Sequence, residues 1–253
     1  MFDLLNFTLK NKVALVTGGS RGIGQGIAFG FAKAGAKVVV TSRKVQDLES
    51  TAAEIRAFGG EALVLPAHLG KMEEIQKVVG GVMERYGRLD ILVNNAGASP
   101  AMGSVLESDE RLWDTIMNLN LKGTYFLSQA AANIMKNQGG GKIINIASID
   151  GFKPEPFVSI YSISKAGVRM ITKAFAAERL KQGRFWALEG QFEYLWPDLG
   201  LDHLTLGEPF IRNTVGTLDK SARMLGICDM RGRTNGSGGR AGGFGPDKRG
   251  RRG

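Results

Sequence analysis

The sequence predicts a doubly wound α/β fold, in which helices cover both faces of one parallel sheet. Short runs of β-branched and apolar residues alternate with helical patterns from about residue 11 to 178. A glycine-rich turn, TGGSRGIG, joins the first of these runs to the first helical pattern. The 253 residues suit one domain of this kind. Strands that are apolar throughout indicate burial on both faces, as in a parallel sheet.

The alternation begins with the strand KVALVTG, a glycine turn, the helix IGQGIAFGFAKAG and the strand KVVVTS, which together form one βαβ unit. The elements predicted after this unit are helix 45–58, strand 62–66, helix 71–86, strand DILVNN, helix 109–135, strand KIINIAS and helix 159–180. After KIINIAS no convincing sixth or seventh strand follows in the sequence, so the C-terminal strands of such a sheet are predicted to be missing or replaced. The sheet is then expected to end at KIINIAS, with one edge of that strand unpaired.

The composition excludes several classes of protein. Cys228 is the one cysteine, so no internal disulfide is possible, and with only two histidines, His68 and His203, a cluster of Cys and His metal ligands cannot be assembled. No metal is predicted. The chain has no basic segment ahead of an apolar run at its start and no apolar run of about 18 residues anywhere. These features predict a cytoplasmic protein that no membrane anchors.

The net charge of +9 is concentrated at the C-terminal end of the chain. Residues 230–253 contain seven Lys or Arg, one Asp and nine Gly. Such a segment cannot bury enough apolar surface to offset its ordering entropy, so a disordered basic tail is predicted. Binding of nucleic acid through this tail, as in disordered Arg/Gly segments, is an alternative, but a solvated tail without a partner is favoured.

The turn TGGSRGIG, residues 17–24, is a candidate phosphate-binding loop. Glycines allow the chain to turn tightly and allow backbone amides to approach a pyrophosphate, whose charge the helix N-terminus stabilises. A glycine-rich turn without a ligand is the alternative. The position of the turn in the first βαβ unit favours the ligand-binding interpretation.

Two further motifs, NNAG at 94–97 and YSISK at 161–165, accompany the spacing Gly18-x-x-x-Gly22-x-Gly24. Together the three motifs resemble those of the classical short-chain dehydrogenase/reductases, in the order of that family, over residues 8–178. The resemblance implies a Rossmann-type dinucleotide-binding and catalytic domain over residues 8–180. It also implies NAD(P)-dependent interconversion of a small ketone and a secondary alcohol, with a sugar acid, polyol or 3-oxoacyl compound as substrate, and a homo-oligomer.

The resemblance implies four catalytic residues, Asn120, Ser148, Tyr161 and Lys165. Tyr161 and Lys165 are four apart on a predicted helix and therefore share a face. A phenol with a pKa of about 10 becomes a useful acid or base when an ammonium group favours its phenolate. In the family, the tyrosine transfers the proton, the serine hydrogen-bonds the reacting oxygen, the lysine also holds the nicotinamide ribose, and the asparagine positions a water.

Each of these residues also has a structural alternative. Tyr161 and Lys165 could be two solvated residues on an amphipathic helix. Ser148 could be a turn serine that caps the end of its strand. Asn120 in LNLKG could be a solvated helix asparagine, which would leave open the choice between it and the nearby Asn118.

The resemblance also implies a set of cofactor contacts in the glycine loop, after the second and third strands, in NNAG and in YSISK. These residues are Gly18, Ser20, Arg21, Gly22, Ile23, Gly24, Ser42, Arg43, Leu69, Asn95, Ala96, Gly97, Tyr161 and Lys165. Where an acidic residue would bind the ribose of NAD, this chain has Ser42 and Arg43. Arg43 and Arg21 could pair with a 2′-phosphate, so NADP is favoured and NAD stays possible. His68 stands where the family usually has an Asp contacting adenine, so the backbone of Leu69 is expected to serve instead.

The resemblance stops after Glu178. The family continues with a sixth strand, a Pro-Gly turn and a helix pair over the substrate, whereas residues 181–229 diverge and FIRNTVGT is only a faint echo of the strand and turn. Either a natural divergent C-terminus replaces these elements, or the reading frame changes near Glu178. The abrupt loss of every family feature favours the second explanation. The alternative function is then a catalytically impaired nucleotide-binding protein.

Overall fold

The computed structural model describes residues 8–178 together with the backbone of one further strand at 184–190. The expectations for FIRNTVGT and for the basic tail fall outside these described residues. The described chain forms the six-stranded sheet and the helices given below.

The strands all run parallel. They are β1 (Val13–Thr17), β2 (Lys37–Thr41), β3 (Glu61–Val64), β4 (Ile91–Asn94), β5 (Gly140–Ile146) and β6 (Arg184–Gly190). Their order in the sheet is β3-β2-β1-β4-β5-β6. The chain builds outward from β1 to β3 and then returns to the other side of β1 at β4. This change of direction makes a crevice at the carboxyl ends of β1 and β4, where α/β proteins of this kind bind ligands.

Six α-helices connect the strands. They are α1 (Gly22–Lys33), α2 (Val45–Ala57), α3 (Met72–Tyr86), α4 (Glu110–Met117), α5 (Thr124–Asn137) and α6 (Ser159–Ala177). Gly87 ends α3 in the left-handed region with a φ of 66°, which a glycine adopts without strain. Asp109 caps the start of α4, because its side chain accepts a hydrogen bond of 2.7 Å from the N–H of Leu112.

The core has two apolar layers, one on each face of the sheet. Alternate residues of β1 enter opposite layers, with Ala14 and Val16 in one and Val13 and Leu15 in the other. The first layer contains apolar residues of α1 and α2, and the second contains apolar residues of α3 and α5. All five residues of β1 are buried because helices cover both faces. The prediction of a doubly wound parallel sheet is therefore confirmed.

The helix predicted over 109–135 is divided between α4 and α5. Six residues, Asn118–Gly123, form a π-helical segment between them. A Cβ atom at Gly123 would collide with the carbonyl oxygen of Leu69, so the chain approaches the loop after β3 closely here. A single π-helical turn is often found at a functional site, and this one contains Asn120.

The sheet does not end at β5. β6 pairs with β5 in parallel over seven positions, from Gly140 opposite Arg184 to Ile146 opposite Gly190. The prediction that the KIINIAS strand leaves an unpaired edge is therefore wrong. Of the two expectations for the C-terminal strands, missing or replaced, the structure has a replaced strand, β6. Strand pairing uses backbone N–H and C=O groups, so the sequence RFWALEG can continue the sheet without the side chains that the family has there.

In residues 8–178 and 184–190, no helix is both long and apolar enough to cross a bilayer. The same part of the chain brings no three His, Cys, Asp or Glu side chains together as metal ligands.

Candidate active site

The glycine loop lies at the crevice between β1 and β4. Gly18 has a φ of 64°, and its N–H donates a hydrogen bond of 2.8 Å to the carbonyl oxygen of Thr41 at the end of β2. A Cβ atom at Gly24 would collide with the carbonyl oxygen of Gly18, so only glycine lets α1 start this close to the loop. The first turn of α1 has no side-chain cap and no acidic residue. Its amide groups and partial positive charge suit an anion.

The NNAG motif fastens the end of β4 to this loop. Thr17 Oγ1 accepts hydrogen bonds of 2.9 Å from the N–H groups of Asn95 and Ala96, and donates one of 3.1 Å to the carbonyl oxygen of Val93. The Asn95 side chain donates to the carbonyl oxygens of Thr17 and Gly18, at 2.9 and 3.3 Å. The polar atoms of this motif therefore hold the two strand ends together.

A cleft of about 270 Å³ opens beside the loop. Nine of the predicted cofactor residues line it, namely Gly18, Ser20, Arg21, Ser42, Arg43, Leu69, Asn95, Ala96 and Gly97. The predicted residue Ile23 lines the neighbouring cavity instead. Gly22 and Gly24 stand in the first turn of α1, where their backbone shapes the loop.

The charges on this cleft favour an anionic ligand. Arg21, Arg43 and Lys44 line it together with one carboxylate, that of Asp47 in the first turn of α2. Ser42 Oγ is buried and finds no hydrogen-bond partner among the described residues. Buried hydroxyl groups are nearly always hydrogen-bonded, so an unpartnered one in a cleft suggests a ligand atom beside it. The residues present therefore fit a phosphorylated nucleotide.

A second cavity, of about 350 Å³, adjoins the first because both are lined by Asn95, Gly97 and Ala98. Tyr161 and Lys165 line this second cavity. The structure thus brings the predicted catalytic pair next to the predicted cofactor cleft.

Lys165 is buried, with 6% of its surface exposed. Its Nζ donates a hydrogen bond of 2.8 Å to the carbonyl oxygen of Ile146 and lies 5.6 Å from the centre of the Tyr161 ring. An ammonium group removed from water needs such partners. Lys165 is therefore not a solvated residue on an amphipathic helix, which was the structural alternative for this position.

Asn120 connects the π-helical segment to the helix of the catalytic pair. It is 1% exposed, its Oδ1 accepts from the N–H of Ala98 at 2.8 Å, and its Nδ2 donates to the carbonyl oxygen of Ala98 at 3.0 Å. The same Nδ2 donates to Ser164 Oγ at 3.1 Å, and Ser164 Oγ donates to the carbonyl oxygen of Tyr161 at 2.7 Å. These bonds fix Asn120 against α6; its predicted role with a water stays a prediction.

Ser148 is fully buried after the end of β5. Its Oγ accepts a hydrogen bond of 3.1 Å from the N–H of Asp150 and so caps the short 3₁₀ turn Ile149–Gly151. The capping role that was the structural alternative is therefore present. The predicted hydrogen bond from Ser148 to a reacting oxygen stays a prediction.

Sequence reasoning did not single out six residues that line the catalytic cavity, namely Ala98, Ser99, Ile146, Ala147, Asp150 and Val158. It also missed Lys44 and Asp47 in the cofactor cleft. Asp150 could have been found, because it follows Ser148 by two residues in SIDG, at the carboxyl end of a strand. Ser99 carries no comparable signal, since it lies in a connection whose path the sequence does not reveal.

A parallel sheet with a glycine loop at its crevice and a Tyr–Lys pair beside it defines a Rossmann-type α/β protein. A family model described as short chain dehydrogenase matches residues 12–183. The chain belongs to the short chain dehydrogenase family. The matched segment ends shortly after Glu178, where the resemblance of the sequence motifs stops.

The relatives include both animal and bacterial proteins. "Dehydrogenase/reductase SDR family member 4" of Bos taurus is 38% identical over 170 residues, which are 67% of this chain and 61% of the bovine protein. "2-dehydro-3-deoxy-D-gluconate 5-dehydrogenase" of Escherichia coli K12 is 42% identical over 176 residues, 69% of this chain and 68% of that protein. The chain therefore aligns with less than two thirds of the bovine relative's length.

A solved structure shows the same fold. It is that of a metagenomic short-chain oxidoreductase in complex with NADP, which superposes with a TM-score of 0.72 and 31% sequence identity. The superposition covers 88% of this chain and 93% of that chain.

Proposed function

We propose that this chain is an NADP-dependent oxidoreductase that interconverts a small ketone and a secondary alcohol. One observation carries the proposal: a cavity lined by Tyr161 and the buried Lys165 adjoins a cleft lined by Arg21 and Arg43. The first pair suits proton transfer at an oxygen, and the second suits a phosphorylated nucleotide.

The residues present divide the binding of NADP among them. The amides of the first turn of α1 would hold the pyrophosphate, and Arg21, Arg43 and the hydroxyl of Ser42 would hold the 2′-phosphate and its ribose. The backbone of Leu69 would contact adenine. The metagenomic relative with bound NADP supports this choice of cofactor. NAD stays usable if Arg43 makes no contact with the 2′-phosphate.

When bound, the reduced form NADPH would supply a hydride to a carbonyl carbon, and the oxidised form NADP⁺ would accept one from an alcohol carbon. In reduction the Tyr161 hydroxyl donates a proton to the substrate oxygen, and in oxidation its phenolate accepts that proton. The ammonium group of Lys165 stabilises the phenolate, and its hydrogen bond to Ile146 keeps it in place. Ser148 would donate a hydrogen bond to the same substrate oxygen. Asn120 would position a water that returns the proton from Lys165 to solvent.

The substrate is proposed to be a sugar acid, a polyol or a 3-oxoacyl compound. The name of the Escherichia coli relative supports a small hydroxylated substrate. We also propose that the chain forms a homo-oligomer, as its family resemblance implies, and that it acts in the cytoplasm.

The test is consumption of NADPH, followed by absorbance, with a panel of ketoses, keto acids, simple ketones and 3-oxoacyl thioesters. We expect turnover of at least one class, and a loss of at least about 100-fold in the Tyr161→Phe variant. NADPH binding without turnover of any member of the panel would instead indicate a catalytically impaired nucleotide-binding protein.

A further inference from the structure

Four buried polar side chains form a hydrogen-bonded chain between the sheet and two of its helices. They are Ser128 of α5, Asn94 of β4, Asn145 of β5 and Thr172 of α6, each at most 7% exposed. Asn94 Nδ2 donates hydrogen bonds of 2.8 Å to Ser128 Oγ and to Asn145 Oδ1. Asn145 Nδ2 donates one of 2.9 Å to Thr172 Oγ1, which itself donates to the carbonyl oxygen of Val168 at 3.1 Å.

The amide group of Asn145 can adopt one orientation in this chain. Its oxygen accepts from Asn94 on the neighbouring strand, and its nitrogen donates to Thr172 on α6. Apolar side chains of the same size would pack here without any directional requirement. A buried polar chain whose donors and acceptors are paired restricts the elements that it joins to one arrangement. The Asn145–Thr172 bond therefore fixes α6 against β5.

Two successive residues of β5 hold α6. Asn145 bonds Thr172, and the carbonyl oxygen of Ile146 accepts the hydrogen bond of 2.8 Å from Lys165 Nζ. Lys165 and Thr172 are seven residues apart, about two helical turns, and so lie on the same face of α6. A helix attached at one point can pivot about it, whereas two attachments set its direction. Tyr161 lies one turn before Lys165, outside the attached span, so the position of its hydroxyl group depends on that direction.

The other end of the polar chain leads to the glycine loop. Asn94 is followed by Asn95, whose side chain donates to the carbonyl oxygens of Thr17 and Gly18. Asn145 thus lies between the helix that carries Tyr161 and the motif that fastens the glycine loop. Hydride and proton transfer require their donors and acceptors to be aligned, and small misplacements are costly.

We propose that Asn145 and Thr172 are positioning residues, whose hydrogen bond sets the direction of α6 and thereby places the Tyr161 hydroxyl for proton transfer. Neither residue lines the cofactor cleft or the catalytic cavity, so they act through Tyr161. This inference rests on the proposed oxidoreductase function. The Lys165–Ile146 bond is separate from the Asn145–Thr172 bond, so binding of NADPH through Lys165 should survive when the latter is lost.

The variant Thr172→Val removes the hydroxyl group and keeps the shape of the side chain. It is tested in the full-length chain, with the carbonyl compound of the panel above that the wild type reduces fastest. Enzyme in excess over NADPH is mixed with this compound, and a single turnover is followed by the absorbance of NADPH. The rate constant reports the alignment of the site, while the amplitude reports the fraction of active protein.

We expect Thr172→Val to lower the single-turnover rate constant by about tenfold, because the helix direction is no longer fixed. The amplitude and the dissociation constant of NADPH should stay within about twofold of the wild-type values, since uniform binding is not what is lost. Thr172→Ser keeps the hydroxyl group and should restore the rate constant to within about threefold of wild type.

Thr51→Val is the matched control. Thr51 is a buried threonine of α2 whose Oγ1 accepts from Gln25 Nε2 at 3.2 Å and donates to the carbonyl oxygen of Asp47, four residues earlier, at 3.3 Å. The same kinds of partner are therefore lost by the same substitution in another helix. Thr51→Val should lower the melting temperature as Thr172→Val does, but it should leave the single-turnover rate constant unchanged.

Asn145→Ala removes the same bond from the strand side and should lower the rate constant by at least about tenfold. If the two residues act through one bond, the double variant Asn145→Ala/Thr172→Val should lose no more than Asn145→Ala alone. Losses that multiply in the double variant would show that Asn145 and Thr172 act separately. The melting temperature of each variant with NADPH shows whether it is folded.

The outcomes separate the two proposals. A folded Thr172→Val with an unchanged rate constant, an equal loss in Thr172→Ser, or a loss of NADPH binding as large as the loss of rate overturns the positioning role while the oxidoreductase function stands. Absence of turnover by the wild type with every compound of the panel overturns the oxidoreductase function and this inference with it.

Discussion

Lys165 donates a hydrogen bond of 2.8 Å from its Nζ to the carbonyl oxygen of Ile146. This bond ties the first half of α6 to the last residue of β5. Ser148 follows Ile146 by two residues, and Tyr161 precedes Lys165 by one helical turn. A single buried contact therefore holds Tyr161 and Lys165, which line the catalytic cavity, next to the strand end that Ser148 follows. The variants below test what this arrangement and its surroundings contribute.

Replacing Tyr161 by Phe should lower turnover by at least about 100-fold, because the ring stays but the transferable proton is lost. NADPH binding should change little. Steady-state kinetics and a fluorescence titration with NADPH measure the two effects. Tyr125→Phe, a change of the same kind on an exposed tyrosine of α5, is the control. Undiminished turnover in Tyr161→Phe would mean that another group transfers the proton.

Replacing Lys165 by Met should damage both turnover and NADPH binding, each by at least about tenfold, because the charge that stabilises the phenolate and the contact to the ribose are lost together. Methionine keeps the length of the buried side chain. Lys173→Met, on the exposed face of the same helix, should change neither quantity. Unchanged NADPH binding by the Lys165→Met variant would contradict the proposed contact between Lys165 and the ribose.

Replacing Arg43 by Asp should shift the preference from NADP toward NAD by about 2 kcal/mol, since attraction of the 2′-phosphate becomes repulsion. Dissociation constants for NADPH and NADH are measured for the wild type and the variant. Lys136→Asp, the same charge change at the exposed end of α5, should leave the preference unaltered. A wild type that binds NADH more tightly than NADPH would contradict the role of Arg43.

Replacing Gly24 by Ala should weaken NADPH binding by at least about tenfold, because the new Cβ would press on the carbonyl oxygen of Gly18 and displace the loop, and misplacement of a binding group is costly. Gly80→Ala is the matched control. A Cβ at Gly80 in α3 meets open space, so this variant should bind NADPH normally and gain up to about 1 kcal/mol of stability from helix propensity. Equal NADPH binding by the two variants would show that the loop tolerates a side chain.

Because of Asp90, the free energy of unfolding should decrease as the pH falls into the acid range. Burial opposes its charge, but hydrogen bonds from the Arg88 guanidinium and the Val13 N–H, with the charges of Arg88 and Lys12, outweigh burial and hold the pKa of Asp90 below the usual range. Since the folded pKa is the lower one, this stabilisation is present above the unfolded pKa of about 3.9 and is lost as pH falls through the folded pKa.

The variant Asp90→Asn should therefore lower the free energy of unfolding by about 2 kcal/mol at pH 7, with the difference from wild type shrinking under acid conditions. Urea denaturation at neutral and acid pH measures this. Asp114→Asn, on an exposed acid of α4, should cost much less at pH 7. A difference between Asp90→Asn and wild type that is constant with pH would show that the charge of Asp90 is not responsible.

Much of the fold could be predicted because it depends on local pattern. Continuous apolar runs such as VALV mark strands buried on both faces, and helical spacing of apolar residues marks the connecting helices. β6 was not predicted, because a strand pairs with a sheet edge through its backbone groups. The side chains of RFWALEG therefore give little indication that this segment joins the sheet. The π-helical turn at Asn118–Gly123 also escaped, since it depends on the close approach of Gly123 to Leu69 across the crevice.

The sequence by itself determined the order of strands and helices, the glycine loop, the Tyr161–Lys165 spacing and the family to which these motifs point. Each of these features follows from residues that are close together in the sequence. Only the tertiary structure decided that Lys165 is buried against Ile146, that Thr17 holds the NNAG motif, and that Asp150 lines the catalytic cavity. Those facts depend on segments that are far apart in the chain and that meet only because parallel strands end at the same edge of the sheet, where their carboxyl ends bring loops together.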